Sequence, residues 1–147
     1  MLVGQYTVSV TEKGRIAIPF RFREEIGTDL IAAKWFEECI VVVPIANWQE
    51  LLTKVTAKAE TLNVSVREIE RFILGSAFEI ELDAQGRFII PKTLKEYGKL
   101  DQTVTFVGLG NRIEIWNERL WKEKEEFLQG TAGKLMEQVS NRLERRY

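Results

Sequence analysis

The chain has 147 residues, of which 45% are hydrophobic and 29% are charged, and its formal net charge is −1. This composition is that of a folded globular protein, excludes a disordered chain, and carries no overall signal for nucleic-acid binding. Histidine is absent and Cys39 is the single cysteine, which excludes histidine-based catalytic triads, most zinc sites and an internal disulfide. We therefore expect no enzyme, no metal site and no cofactor, and we expect Cys39 to be a buried, inert thiol.

The sequence also lacks the signals of membrane insertion or secretion. No apolar run approaches the roughly 20 residues that a membrane-spanning helix needs. The first ten residues have neither the basic region nor the apolar region of a signal peptide. We therefore expect a cytoplasmic protein without a membrane partner.

The first part of the chain predicts strand, turn, strand, helix and hairpin, in that order. Apolar residues alternate with polar ones over residues 6–10, the period of a half-buried strand. "TEKGRIAIP" at residues 11–19 predicts a glycine turn and a returning strand, and its final proline can start the short helix that follows at residues 20–27. "DLIAAKWFEECIVVVP" at residues 29–44 predicts a hairpin.

Two amphipathic helices are predicted next. The first spans residues 47–60, with Asn47 as its N-cap, and the second spans residues 65–75, with Ser65 as its N-cap. Each cap residue is followed three positions later by glutamate, the pattern of a capping box. Both helices have one apolar stripe, which indicates one buried face.

The second half then repeats the first. "DAQGRFIIP" at residues 83–91 matches residues 11–19, and the two arginines differ by 72 positions, 87 minus 15. Residues 78–82 alternate as residues 6–10 do, a short helix is predicted at residues 92–98, and "TVTFVGLGNRIEIW" at residues 103–116 predicts a hairpin with its turn at Gly108–Asn111. The repeat indicates two half-units that complete one core by pseudo-twofold symmetry.

The sequence of the C-terminal tail predicts two helices. Residues 117–129 and 134–147 have helical periodicity, and "GTAG" at residues 130–133 is expected to break the chain between them. The last apolar stripe is thin, so we expect an exposed or intersubunit tail. The alternatives are a tail that packs on the body of the protein and one that frays.

The repeated turns are the strongest candidate for a binding site. Each places a glycine, which tolerates the left-handed conformation, directly before a permanently charged arginine. Two arginines projecting on one side of the molecule suit the guanine edges or phosphates of a DNA duplex, as in β-ribbon readers. A surface ion pair between Asp83 and Arg87 that only stabilises the turn is the alternative. The first copy keeps Arg15 but has Thr11 in place of the acid, which favours a role for the arginine itself.

These motifs closely resemble the MraZ family of bacterial transcriptional regulators. The resemblance rests on "GQYTVSVTEKGRIAIPFRFRE", "FEIELDAQGRFIIPKTLKEYG" and "GNRIEIW", and covers roughly residues 1–128. It implies an α+β fold of two pseudo-symmetric AbrB-like swapped-hairpin β-barrel modules in one chain, with interposed and C-terminal α-helices. The expected boundaries are residues 5–47 for the first module, 48–75 for the helical linker, 76–119 for the second module and 120–147 for the C-terminal helices.

The resemblance also implies a function. The resemblance implies a ring-shaped homo-oligomer that binds repeated short boxes in double-stranded promoter DNA. These boxes are expected upstream of the division and cell-wall gene cluster, which includes the regulator's own gene. We therefore expect a sequence-specific transcriptional regulator associated with the nucleoid, with no small-molecule substrate. The DNA sequence of the boxes, the ring size and the sign of regulation do not follow from the sequence.

Two groups of residues are expected to form the site. DNA contacts are expected from Arg15 and Lys13 in the first turn and from Arg87 and Gln85 in the second. The turns are expected to be supported by Gly14, Gly86, Asp83, Pro19 and Pro91. The family pattern is Asp-x-x-x-Arg, which the second copy keeps as Asp83 and Arg87, whereas the first copy departs from it at Thr11.

Two other functions are alternatives to DNA binding. The amphipathic helices with an acidic face favour an oligomeric protein-binding scaffold without DNA binding. An enzyme is disfavoured, because the sequence has no nucleophile with its base, no metal-ligand cluster and no phosphate-binding glycine loop. A gel shift distinguishes the two leading functions, since a scaffold retards no DNA.

Overall fold

The computed structural model describes residues 1–56 and 63–144, which form eight strands and five α-helices. The first copy contains β1 (Leu2–Ser9), β2 (Arg15–Ala17), α1 (Phe20–Ile26), β3 (Leu30–Lys34) and β4 (Ile40–Pro44). The interposed helices are α2 (Ile45–Val55) and α3 (Val64–Leu74). The second copy contains β5 (Phe78–Ile80), β6 (Arg87–Ile89), α4 (Lys92–Tyr97), β7 (Thr103–Gly110) and β8 (Ile113–Asn117), and α5 (Glu118–Glu144) follows. The fold is therefore α+β, as predicted.

The main sheet has the order β1-β7-β8-β4-β3-β5 and exchanges strands between the copies. β1 pairs antiparallel with β7 of the second copy, and β5 pairs antiparallel with β3 of the first. β4 and β8 are neighbours at the centre. When the copies are interchanged the order is the same in reverse, so the repeat is a pseudo-twofold arrangement in which each copy supplies an outer strand to the other.

A second, smaller sheet consists of β2 and β6 alone, one strand from each copy. We call this pair the ribbon. The expected closed barrel is not confirmed, because among the described residues the main sheet is open, with β1 and β5 at its edges, and the ribbon forms a separate sheet. The short strands of the ribbon bond to each other rather than continuing the main sheet.

One hydrophobic core includes residues of the ribbon, of α1 and α4 and of the main sheet. Its largest buried side chains come from both copies: Ile16, Ile18 and Phe22 from the first, and Leu94, Phe106 and Ile115 from the second. α2 also contacts β3 and β4, and α3 contacts β3. The core contains side chains of both copies, as the repeat predicts for half-units too small to bury a core alone.

Cys39 lies in the interior just before β4. Its thiol donates a weak hydrogen bond to the carbonyl of Phe36 at 3.3 Å. Burial raises the pKa of the thiol above its ordinary value, so Cys39 stays protonated at neutral pH. The expected buried thiol is confirmed.

The predicted starts of two helices differ from the structure. α2 begins at Ile45 directly after Pro44, and not after Asn47. α3 begins one residue after Asn63, whose side-chain oxygen accepts a hydrogen bond from the Ser65 amide at 2.8 Å, so Asn63 is the N-cap and Ser65 is not. The predicted end of the first of these helices, at residues 57–60, lies outside the described residues.

The predicted break in the tail was also wrong. Residues Glu118–Glu144 form one helix that continues through Gly130 and Gly133 without a break. An interior glycine costs a helix only about 1 kcal/mol relative to alanine, which flanking helix-forming residues can offset. The chain divides into two units, Met1–Asn117 and Glu118–Tyr147. No helix within residues 1–56 and 63–144 is long and apolar enough to cross a membrane.

Candidate nucleic-acid interface

The two repeated turns have the same backbone. In the first turn, Gly14 donates its amide to the carbonyl of Thr11 at 2.9 Å, and Thr11 donates its own amide to the carbonyl of Arg15 at 3.0 Å. In the second turn, the corresponding bonds join Gly86 to Asp83 at 3.0 Å and Asp83 to Arg87 at 2.9 Å.

Each turn ends on a glycine in the left-handed region. The φ angle is 77° at Gly14 and 73° at Gly86. This is a four-residue turn whose last residue is a left-handed glycine, a position at which any side chain would be strained. The repeat in sequence is therefore a repeat in conformation.

The side chain at the first turn position differs between the copies. In the first turn, the Thr11 hydroxyl oxygen accepts a hydrogen bond from the Arg15 amide at 3.0 Å. In the second turn, one oxygen of the Asp83 carboxylate accepts from the amides of Gln85 and Arg87 at 2.8 and 2.9 Å. The threonine thus reproduces the hydrogen bond to the backbone amide of the arginine, but it does not bind the guanidinium group.

Asp83 additionally binds the Arg87 side chain. Its second carboxylate oxygen accepts from the Arg87 Nε at 2.8 Å. The amide of Arg87 first, and then its guanidinium group and the amide of Gln85, lower the pKa of Asp83 from the ordinary 3.8 to about 2. The carboxylate is therefore ionised at neutral pH and holds the arginine in one orientation.

The ribbon places both arginines on one face. Its register pairs Arg15 with Ile89 and Ala17 with Arg87, and directly paired residues point to the same side of a sheet. The intervening pair, Ile16 and Phe88, is buried in the core. The opposite face, which carries the two arginines, therefore points away from the core.

Arg15 and Arg87 are diagonal neighbours on this outward face. Diagonal positions of an antiparallel pair lie about 7–8 Å apart, which is about two base-pair steps of a duplex. Arg87 is held by Asp83, whereas Arg15 has no carboxylate within ion-pair distance in the part of the chain that the structure describes. The two arginines are neighbours on the ribbon, and of the two only Arg87 is held by a carboxylate of the described residues.

The other predicted residues lie around these turns. Lys13 and Gln85 are exposed. Pro19 and Pro91 stand at the N-cap positions of α1 and α4, where their fixed φ suits the entry to a helix. Within residues 1–56 and 63–144, no group of three or more histidine, cysteine, aspartate or glutamate side chains could hold a metal ion.

The repeat is matched by a family model. The model described as "MraZ protein, putative antitoxin-like" matches the chain twice, over residues 1–72 and over residues 73–145. The chain belongs to the MraZ family. The predicted resemblance is thereby confirmed, and each match contains one of the two turns.

Curated relatives of this MraZ family member match it over most of their length. The protein named "Transcriptional regulator MraZ" from Syntrophomonas wolfei is 38% identical over 139 residues, which are 95% of this chain and 96% of that protein. Its counterpart from Carboxydothermus hydrogenoformans is 41% identical over 121 residues, 82% of this chain and 84% of that protein. The one from Moorella thermoacetica is 39% identical over 123 residues, 84% and 85% of the two chains.

The sequence-based prediction missed Ile89, and it missed the contact of Arg23 with the second turn, at this MraZ surface. Ile89 is 60% exposed and lies opposite Arg15 on the outward face of the ribbon. Its alternation with the buried Phe88 is a signal that could have identified it. Arg23 lies against the second turn, at Gly86. No local pattern predicts this contact, because it joins residues 63 positions apart, 86 minus 23.

Proposed function

We propose that this chain is a transcriptional regulator that binds double-stranded promoter DNA through the outward face of the ribbon. The observation that carries the proposal is the placement of Arg15 and Arg87 on one face of a two-stranded ribbon, as diagonal neighbours. Such a ribbon fits the major groove, and arginine bonds bidentately to the O6 and N7 atoms of guanine. The names of the relatives, transcriptional regulators, support the regulatory part.

The hydrogen bonds of Arg87 favour base recognition at the second turn. Its Nε is bound to Asp83, so the two terminal amino groups remain for two parallel bonds to one base. The guanidinium group of Arg15 is not held in this way and suits either a base or a backbone phosphate. Ile89 and Ala17 lie between the arginines and offer apolar contacts to thymine methyl groups.

Affinity depends on several copies acting together. The net charge is −1, so the chain as a whole does not attract DNA, and one ribbon offers few contacts. We propose a ring-shaped homo-oligomer that engages repeated short boxes at once, upstream of the division and cell-wall gene cluster and of its own gene. The proposed location is the cytoplasm, at the nucleoid, and no catalytic activity or small-molecule substrate is proposed.

The domain organisation belongs to the same proposal. The AbrB-like modules at residues 5–47 and 76–119, the linker at 48–75 and the C-terminal region at 120–147 are supported by the repeat and by the exchange of β1 and β5. In a swapped-hairpin arrangement, each module needs a strand from the other. The DNA-binding ribbon would then exist only when both modules are present.

Fluorescence anisotropy with the DNA upstream of the gene tests the function. We expect Arg15→Ala and Arg87→Ala each to weaken binding by about tenfold or more, the cost of one good bidentate contact. Arg71→Ala is the matched control, because it removes one exposed arginine from α3, away from the ribbon. Binding should also weaken steeply as salt is raised.

Two outcomes contradict the proposal. If both ribbon variants bind the promoter as tightly as Arg71→Ala does, the ribbon is not the DNA-binding surface. If the wild-type protein retards no promoter fragment, the protein-binding scaffold is the better function.

A further inference from the structure

We infer that Arg23 is a positioning residue that fixes the second turn, and with it Arg87, for DNA recognition. The inference rests on the proposed DNA-binding function. It assigns to a residue outside both turns the task of making the second turn rigid.

Arg23 connects the end of β2 to the second turn. It lies near the end of α1, next to the buried Phe22. Its Nε donates a hydrogen bond to the carbonyl of Ile18 at 2.7 Å, and the amide of Ile18 donates to the carbonyl of Gly86 at 2.9 Å. The side chain of Arg23 and the backbone of Ile18 therefore join α1 of the first copy to the turn of the second.

The guanidinium group also covers Gly86. A Cβ atom at Gly86 would lie 2.7 Å from the Cζ of Arg23 and 2.8 Å from its Cδ, and closer still to its Nε. Atoms at these distances overlap, so the Arg23 side chain occupies the space that any other residue at position 86 would need. Gly86 is buried under this side chain and directly precedes Arg87.

The first turn has no equivalent cover. A Cβ atom at Gly14 would meet nothing within 4 Å in the part of the chain that the structure describes. The residue 72 positions after Arg23 is Lys95, which lines a groove together with Thr11 and Glu12 but leaves Gly14 open. Lys95 is therefore a matched control, since it has the same charge in the equivalent place without the contact.

A double-mutant cycle separates positioning from direct DNA contact. Anisotropy is measured for Arg23→Ala, Arg87→Ala, the double variant and Lys95→Ala, with the promoter fragment and with a scrambled fragment of the same composition. We expect Arg23→Ala to weaken promoter binding about tenfold, and to weaken scrambled-fragment binding no more than Lys95→Ala does. In the Arg87→Ala background, removal of Arg23 should have no further effect, because its action passes through Arg87.

The conservative variant Arg23→Lys guards against loss of folding. It keeps the charge but lacks the planar group that covers Gly86, so we expect about threefold weaker promoter binding with an unchanged salt dependence. Thermal unfolding of each variant shows that the comparison is made between folded proteins. For Arg23→Ala, a salt dependence reduced by one phosphate contact relative to Lys95→Ala would show that Arg23 binds DNA itself and would overturn the inference.

The other outcomes are equally decisive. Additive effects of Arg23→Ala and Arg87→Ala, or equal effects of Arg23→Ala and Lys95→Ala on promoter binding, overturn the positioning role while the proposed function stands. A wild-type protein that does not distinguish the two fragments overturns the proposed function, and the role of Arg23 falls with it.

Discussion

The first turn, Thr11–Arg15, and the second turn, Asp83–Arg87, have the same backbone conformation. They differ in how strongly the surrounding side chains constrain the turn and its arginine. The first is closed by a hydroxyl group, and its arginine side chain has no carboxylate partner among the described residues. The second is closed by a carboxylate that also binds its arginine, and it lies under a second guanidinium group. Duplication has thus kept the shape of the turn, while the side chains around it have made one turn rigid and left the other free to adapt.

This difference fits two distinct tasks on one duplex. A pre-oriented arginine loses little conformational entropy on binding, which favours discrimination between bases. An unrestrained arginine can follow the backbone or adjust to an imperfect box. A molecule with one pre-oriented and one unrestrained arginine can select a specific base at one position of the DNA and accept different bases at another.

Alanine at the two glycines should produce the largest difference between the turns. Gly14→Ala should lower the free energy of unfolding by about 1–2 kcal/mol, the cost of a left-handed non-glycine residue. Gly86→Ala should lower it by about 2–4 kcal/mol, because overlap with Arg23 adds to the same backbone cost. Urea unfolding measures both values.

The Arg23→Ala background provides the control for this prediction. Without the Arg23 side chain, Gly86→Ala should cost no more than Gly14→Ala. If the two glycine variants are equally destabilised in the wild-type background, the second turn is not the more constrained one.

Exchange of the first residue between the two turns should have a smaller effect than the glycine variants, and the effect should appear in DNA binding. Thr11→Asp gives Arg15 the carboxylate that it lacks, and Asp83→Thr removes the one that orients Arg87. We expect promoter binding to become about threefold tighter in the first variant and about threefold weaker in the second, as pre-orientation is gained or lost. The reverse pattern, weaker binding for Thr11→Asp and tighter binding for Asp83→Thr, would show that total charge, and not orientation, determines the affinity.

A dependence on pH should be the smallest effect and confined to the second turn. Folding lowers the pKa of Asp83 from 3.8 to about 2. A group with a lowered pKa stabilises the fold fully above its unfolded-state value and loses that contribution as the pH falls through its folded-state value. The difference in melting temperature between wild type and Asp83→Asn should therefore be constant above about pH 5 and shrink towards pH 2.

Thr11→Ala is the matched comparison for the pH series. Thr11 does not titrate, so the difference in melting temperature between wild type and Thr11→Ala should stay constant over the same pH range. A shrinking difference for Thr11→Ala as well would place the pH dependence outside the second turn.

Features that depend on local sequence patterns were predictable from the sequence. The alternating strands, both glycine turns and the short helices after Pro19 and Pro91 lie where local patterns place them. The 72-residue offset also predicted the pseudo-symmetry, because two equal half-units must share one core.

Features that join distant residues were not predictable in the same way. The exchange of β1 and β5 and the contact between Arg23 and Gly86 depend on tertiary packing, which no local period records. Local rules also misjudged competing signals. Glycine at positions 130 and 133 did not end α5, and Asn63, not Ser65, is the N-cap of α3.

The pairing of β1 with β7 has a consequence for synthesis on the ribosome. Leu2 pairs with Gly110, so the first strand is made 108 residues before its partner, 110 minus 2. At about 5–20 residues per second, β1 waits roughly 5–20 s for β7 to appear. During that time β1 has no partner strand, so the nascent first copy exposes an unpaired strand that favours aggregation until the second copy emerges.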